Sequence, residues 1–113
     1  MTRFRPAEHV RKRADFELIY KTGIKRSGRL MTLFALAREG GTARLGIAAT
    51  RKMGAAVERN RAKRLVREAF RHAKPEAAVD VVVVPRRDIL DASFERIQTE
   101  FSNLLKKSRP PSA

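Results

Sequence analysis

The chain has 113 residues, no cysteine and a formal net charge of +14 at pH 7. This length suits a single domain, residues 1–113, whose ordered part we expect at about residues 8–107. The lack of cysteine excludes a disulfide framework and thiolate metal sites, and the apolar runs are too short to span a membrane. So large a positive charge predicts a polyanionic partner, with nucleic acid as the leading candidate.

The first predicted helix runs from about Glu8 to Thr22 and ends at Gly23, after an irregular arm of residues 1–7. Its apolar residues form two stripes on nearly opposite sides, one of Val10, Ala14 and Leu18 and the other of Phe16, Ile19 and Tyr20. One stripe suffices to pack on a core, so the second must meet something else. For Phe16 and Tyr20, ordinary core packing and an open groove whose rings stack on bases both remain open.

Strand patterns follow the first helix. A short strand fits Ile24–Gly28, and Leu30–Ala37 alternates between two faces as a strand does. Residues 38–42 are glycine-containing and predict a hairpin turn. That turn would lead into a returning strand at Arg44–Thr50.

The last third of the chain predicts one strand and one helix. Val79–Val84 is apolar without alternation, which is typical of a strand buried on both faces. A helix is expected at Asp91–Lys107, with Asp91 or Ser93 as its N-cap, and residues 108–113 are expected to form a disordered tail. Because a helical segment separates two strands, the order also predicts a βαβ unit.

That helical segment, Arg51–Lys74, carries nine basic and two acidic side chains. One face of the predicted helix is apolar and consists of Ala62, Leu65, Val66, Ala69, Phe70 and Ala73. The opposite face carries Asn60, Lys63, Arg64, Arg67 and Arg71. A face that is merely solvated usually mixes both signs of charge, and this one does not. The pattern therefore favours a surface that binds nucleic acid over a solvated face.

No group of residues predicts catalysis or a metal site. His9 and His72 lie in basic surroundings without metal-ligand spacing to a carboxylate. The acids near the start of the last helix are explained by capping and by the helix dipole. A phosphate-binding loop and a nucleophile–base pair are also lacking from the sequence. From its residues alone, the chain binds its partner and does not cut it.

Residues 54–71, GAAVERNRAKRLVREAFR, closely resemble the protein subunit of bacterial ribonuclease P. That family carries an Arg-Asn-Arg signature, here residues 59–61, before its basic helix, with two basic residues and a glycine just upstream. The later strands and the last helix follow in the family order, so the resemblance covers roughly residues 10–107. The first helix also matches through Asp15, Phe16, Tyr20 and Gly23. Tyr20 stands where Phe is usual, and Ala55 where Asn or Lys is common.

The resemblance implies an α+β fold of the order α-β-β-β-α-β-α, a single-domain sandwich with a four-stranded sheet. The first strand would lie near Ile24–Ser27. The basic helix would cross over between two parallel strands. In that family the crossover is left-handed, which is the reverse of what general sheet geometry favours.

The resemblance also implies a function. The chain would assist a catalytic RNA in removing the 5′ leader from precursor tRNA in the cytoplasm, with no membrane and no further protein partner required. The RNA and its bound Mg²⁺ would carry the chemistry, so the chain would hold no catalytic residue, metal or cofactor by itself. The surface for the catalytic RNA would comprise Arg51, Lys52, Arg59, Asn60, Arg61, Lys63, Arg64, Arg67 and Arg71. The 5′ leader would lie in a cleft lined by Phe16, Tyr20, Thr32 and Phe34.

Two other functions remain open from the residues. A stand-alone or ribosomal RNA-binding protein would use the same basic helix without a ribozyme partner, and a protein-only ribonuclease would cleave without RNA. The role of Asn60 is open as well. Its carboxamide can fix the geometry of a bound RNA, or it can bond the local backbone at the start of the helix.

Overall fold

The computed structural model describes residues 9–10, 12–38, 40–73 and 78–108. The predicted arm at residues 1–7 and residues 109–113 of the predicted tail lie outside this range. The helices are α1 (Arg13–Thr22), α2 (Ala56–Ala73) and α3 (Phe94–Lys107). The strands are β1 (Ile24–Ser27), β2 (Met31–Ala37), β3 (Arg44–Ile47) and β4 (Val79–Pro85). The order α-β-β-β-α-β-α and the α+β fold class are confirmed.

The four strands form one mixed sheet in the order β1-β2-β4-β3. β4 is antiparallel to β2 and parallel to β3, so α2 is the crossover of a βαβ unit, as predicted. Because β4 lies between β2 and β3, the hairpin predicted at residues 38–42 is wrong. The reason lies in the side chains of β4, where Val81, Val82 and Val83 are all 0% exposed. A strand that is apolar on both faces is favoured at the centre of a covered sheet.

Helices cover both faces of the sheet, but unequally. On one face, α2 and α3 bury the larger core, in which the rings of Phe70 and Phe101 meet edge to face at 6.3 Å. On the other face α1 is the only helix of the described residues, and it lies over a smaller cluster of Val10, Ile19 and Val82. One short helix does not cover a four-stranded sheet, and Phe34 on this face stays half-buried. A cleft therefore forms beside α1.

α1 begins at Arg13 rather than near Glu8, so the predicted start of the helix is wrong. The Val10 amide donates to the Leu45 carbonyl at 3.0 Å, which continues the sheet past β3 and holds this segment extended. The stripe of Val10, Ala14 and Leu18 is not a helical core face either. Leu18 is 52% exposed, whereas Ile19 of the opposite stripe is fully buried against the sheet.

α3 closes the fold and also holds the turn between β1 and β2. Of its two predicted caps the structure uses Ser93, whose Oγ accepts from the Arg96 amide at 3.3 Å. The Glu100 carboxylate accepts from the backbone amides that follow Gly28, at 2.9 and 2.8 Å. Ser108, which we assigned to the tail, is 1% exposed and donates its hydroxyl hydrogen to the Leu104 carbonyl, so it belongs to the end of the helix.

Candidate nucleic-acid interface

α2 turns an apolar face to the sheet and a cationic face to solvent. Its buried residues are Ala62, Val66, Ala69 and Phe70. On the other side Asn60, Arg61, Arg64 and Arg67 are exposed and Lys63 is half-buried. Within the described part of the chain, these four cations form no ion pair. Their charge is therefore available to a partner, and we call this set of five side chains the basic face.

Arg71 lies at the end of the same helix but differs from the basic face. Its Nη1 is 2.7 Å from Glu68 Oε1, and His72 Nε2 lies 3.9 Å from the other oxygen of that carboxylate. This ion pair compensates part of the charge of Arg71. The sequence places Arg71 in the RNA surface, and the structure places it at the edge of that surface.

The turn before α2 is held by two arginines. Gly54 adopts a φ of 137°, a conformation that side chains rarely allow, so glycine is required there. Arg87 Nη1 donates to the Met53 carbonyl and Arg59 Nη1 donates to the Gly54 carbonyl, each at 3.0 Å. Arg59 is therefore half-buried and tied to the turn, while Arg61 of the same signature is exposed.

The same turn presents two further predicted residues. Arg51 and Lys52 are exposed in a short 3₁₀ helix, Arg51–Met53, while Met53 is buried and anchors that helix to the core. Asn60, one turn into α2, is exposed and forms no side-chain hydrogen bond with any described residue. The local backbone role for its carboxamide therefore has no support in this part of the chain.

Three aromatic rings line the cleft beside α1. Tyr20 meets Phe34 edge to face, with 4.9 Å between ring centroids, and lies 6.4 Å from Phe16. Tyr20 is 39% exposed, and the two phenylalanines are half-buried. The rings are thus neither core nor fully solvated, so each can pack on the protein and still offer surface to a ligand. We call these three side chains the ring cleft.

Polar groups border the ring cleft on the β1 side. Lys25 Nζ lies 5.9 Å from the centroid of the Phe34 ring, within cation–π range. Thr32, the fourth predicted cleft residue, is half-buried with its hydroxyl 3.4 Å from that of Ser27. Partial burial raises the pKa of the Tyr20 hydroxyl, which keeps it a neutral hydrogen-bond donor at physiological pH.

Gly46 of β3 makes room for the ring cleft. A Cβ atom built at Gly46 would lie 2.7 Å from Phe16 Cζ and 3.0 Å from Val10 Cβ. Its φ is not in the left-handed region, so here glycine is needed for space and not for backbone conformation. The Phe16 ring lies directly on the strand as a result.

A cavity of about 160 Å³ joins the ring cleft to the basic face. It lies around the edge strand β3, and Phe16 of α1 lines it together with Lys63 and Arg67 of α2. Two elements on opposite faces of the sheet therefore meet at one surface. An anionic ligand seated in this cavity would contact the Phe16 ring together with the two cations.

The comparisons with known proteins agree with this geometry. The family model described as Ribonuclease P matches residues 4–109. A Clostridium kluyveri protein named "Ribonuclease P protein component" is 34% identical over 103 residues, covering 88% of this chain and 92% of the relative. A Bartonella quintana protein of the same name is 43% identical over 107 residues, covering 86% and 80%. The chain belongs to the ribonuclease P protein family.

Solved ribonuclease P proteins share the fold as well. The Staphylococcus aureus ribonuclease P protein has a TM-score of 0.79 at 34% identity, covering 91% of this chain and 96% of that one. The Thermotoga maritima protein gives the same TM-score and identity, covering 91% and 99%. The predicted family, function and fold class are thereby confirmed, and the stand-alone RNA-binding alternative is not favoured.

Sequence reasoning missed several residues of this ribonuclease P protein. Lys25 lies on a short strand whose pairing sets its position beside Phe34, and Arg87 reaches the Met53 carbonyl from a distant segment. No local sequence signal marks either contact. Gly46 was detectable in principle, because a glycine inside a strand often marks a close approach of another group.

None of the described helices is long and apolar enough to cross a membrane. In the ranges that the structure covers, His, Cys, Asp and Glu side chains form no group of three or more that could hold a metal ion.

Proposed function

We propose that this ribonuclease P protein holds the single-stranded 5′ leader of precursor tRNA in the ring cleft while its basic face contacts the catalytic RNA. The observation that carries the proposal is the cavity shared by Phe16, Lys63 and Arg67. One ring of the cleft and two cations of the basic face share this cavity, so substrate and ribozyme would meet on one side of the protein.

The ring cleft suits an unpaired leader of variable sequence. Stacking of a base on an aromatic ring is worth ~1–3 kcal/mol and depends little on base identity. Phe16, Tyr20 and Phe34 offer partly exposed rings, and Lys25 supplies a cation near the path of the backbone. The hydroxyls of Tyr20 and Thr32 add hydrogen-bonding capacity. A cleft of this chemistry would accept many leaders.

The basic face suits the phosphate backbone of a folded RNA. Guanidinium groups match phosphate oxygens in pairs, and Arg61, Arg64 and Arg67 have no competing carboxylate among the described residues. Asn60 would add a donor and an acceptor among these cations. Arg51 and Lys52 would extend the surface from the turn, with Arg59 shaping that turn through the Gly54 carbonyl.

The proposed surface does not fit a catalytic metal of its own. Ammonium and guanidinium groups offer Mg²⁺ no lone pair, and the side chains of the basic face and the ring cleft include no carboxylate that would hold the ion. We therefore assign hydrolysis of the leader to the RNA subunit with its Mg²⁺, and to this chain the holding of substrate and ribozyme. The proposed site of action is the cytoplasm, with no other protein required.

Reconstitution tests the proposal. Purified protein is mixed with precursor tRNA at near-physiological salt, with and without a bacterial catalytic RNA. We expect no cleavage by the protein alone and faster cleavage when the protein joins the catalytic RNA. Cleavage without RNA would support a protein-only nuclease, and an RNA-dependent reaction that the protein leaves unchanged would contradict the proposed role.

A further inference from the structure

A buried ion-pair cluster lies at the end of the sheet beside the start of α1. Asp80 is 4% exposed although its strand is otherwise formed by valines and a proline. Arg44 Nε and Nη2 donate to its two carboxylate oxygens at 2.7 Å each. Arg38 Nε adds a second cation at 2.9 Å from Oδ1, at an angle that makes an ion pair but no hydrogen bond. The two-pronged contact fixes the direction of the Arg44 guanidinium.

The remaining nitrogen of that guanidinium points to α1. Arg44 Nη1 lies 3.9 Å from Asp15 Oδ2, in the first turn of the helix. Asp15 immediately precedes Phe16, the ring that lies on Gly46, and Gly46 is two residues after Arg44 on β3. β3 therefore positions two adjacent residues of α1. Arg44 contacts Asp15 through its charge, and Gly46 leaves room for the Phe16 ring. The hydrogen bonds that Arg44 donates to Asp80 raise the pKa of Arg44, and the guanidinium that faces Asp15 stays charged.

We propose that Arg44 and Gly46 are positioning residues for the 5′ leader. Arg44, oriented by Asp80, sets the first turn of α1 through Asp15, and Gly46 sets the depth of the Phe16 ring. Together they place the ring cleft relative to the sheet. This inference rests on the proposed leader-binding role. It adds that two residues of β3, which need not contact the leader, set the position of the rings that bind it.

The contact with Asp15 can be tested without disturbing the buried pair. Asp15→Asn removes the charge on α1 and leaves the Arg44–Asp80 contact intact. Glu17→Gln is the matched control, because it removes the same charge from the same helix, and among the described residues Glu17 forms an ion pair only with exposed Arg13, at 3.2 Å. Both variants raise the net charge equally, so any general gain in RNA affinity cancels between them.

The readout is the ratio of holoenzyme affinities for leader-bearing precursor tRNA and mature tRNA. We expect Asp15→Asn to lower this ratio about two- to fivefold, the range for losing one partly exposed ion pair, and Glu17→Gln to leave it unchanged. If Asp15→Asn lowered the affinity for both tRNAs equally, Asp15 would contribute only to the general stability of the protein, and the inference would be overturned. An unchanged ratio in both variants would overturn it too.

A second readout uses the free protein. The chain has one tyrosine and no tryptophan, so its fluorescence reports Tyr20 in the ring cleft. Asp15→Asn and Gly46→Ala should each change this emission while the helical circular dichroism stays constant, and Glu17→Gln should not. Unchanged emission in both test variants would contradict the inference. Phe16→Leu separates the two proposals: if that variant keeps the wild-type precursor preference, leader binding in the ring cleft itself fails.

Discussion

Two arginines of one signature, Arg59 and Arg61, have different surroundings although a single residue separates them. Arg59 donates to the Gly54 carbonyl and is half-buried, whereas Arg61 is exposed with no partner among the described residues. A hydrogen bond from a charged donor to a partly buried carbonyl contributes to folding, and an exposed cation contributes little. The first of the two therefore shapes the RNA surface, and the second belongs to it.

We expect Arg59→Ala to lower the free energy of unfolding by about 1–2 kcal/mol, because it leaves the Gly54 carbonyl without its donor. Arg61→Ala should change it by no more than about 0.5 kcal/mol. Urea unfolding of the free protein measures both values. Equal effects of the two substitutions would contradict the division of roles.

Tyr20 gives a prediction on pH. Burial raises the pKa of Tyr20 above its ordinary value of 10.0, so this hydroxyl ionises at a higher pH in the folded protein than in the unfolded chain. The stability that this tyrosine contributes is therefore fully present below the ordinary tyrosine pKa and declines as the pH rises above it. Phenolate absorbance of the folded protein should show a midpoint above 10.0, and denatured protein should titrate at the ordinary value. A folded midpoint at or below the denatured one would contradict the burial of this ring.

At the scale of elements, the basic helix was largely predictable and the first helix was not. A period of 3.6 residues separates Ala62, Val66 and Phe70 from the cations without reference to the rest of the molecule. For α1, however, the choice between its two stripes depends on which one meets the sheet. The pairing of Val10 with Leu45, which delays the start of the helix to Arg13, is a contact between residues distant in sequence.

The wrong hairpin has a similar origin. Turn residues at 38–42 predict a reversal of direction, and the chain does reverse there. Local sequence does not say whether the two strands pair or admit a third between them. The run of valines in β4 was the relevant signal, since a strand buried on both faces favours the centre of the sheet.

The basic face predicts a strong dependence of RNA binding on salt. Arg64→Ala should reduce the slope of log affinity against log salt by ~0.7–0.9, the value for one lost phosphate contact. Lys106→Ala removes the same charge from an exposed position of α3, outside the proposed surface, and should leave the slope unchanged. Titrations with the catalytic RNA at several salt concentrations measure these slopes. A slope that Arg64→Ala does not alter would remove this residue from the interface.

At the scale of the whole molecule, the cleft follows from an unequal division of helices. Among the described helices, α2 and α3 share one face of the sheet and α1 covers the other. The sequence pattern reveals two apolar stripes on the first helix and a strand buried on both faces, but not which helices cover which face of the sheet. At the edge strand β3, Lys63 and Arg67 of α2 line one cavity together with Phe16 of α1. The proposed substrate surface and ribozyme surface therefore adjoin.

Phe16→Leu tests the central claim most directly, because it keeps apolar volume over Gly46 and removes the stacking face. The measurement is the ratio of holoenzyme affinities for precursor and mature tRNA, with Phe94→Leu as control, since that half-buried ring lies against His72 and away from the cleft. We expect Phe16→Leu to lower the ratio about fivefold or more, as loss of ~1–3 kcal/mol of stacking predicts, and Phe94→Leu to preserve it. Equal losses for precursor and mature tRNA, accompanied by a matching fall in the free energy of unfolding, would show that Phe16 is ordinary core and contradict the account.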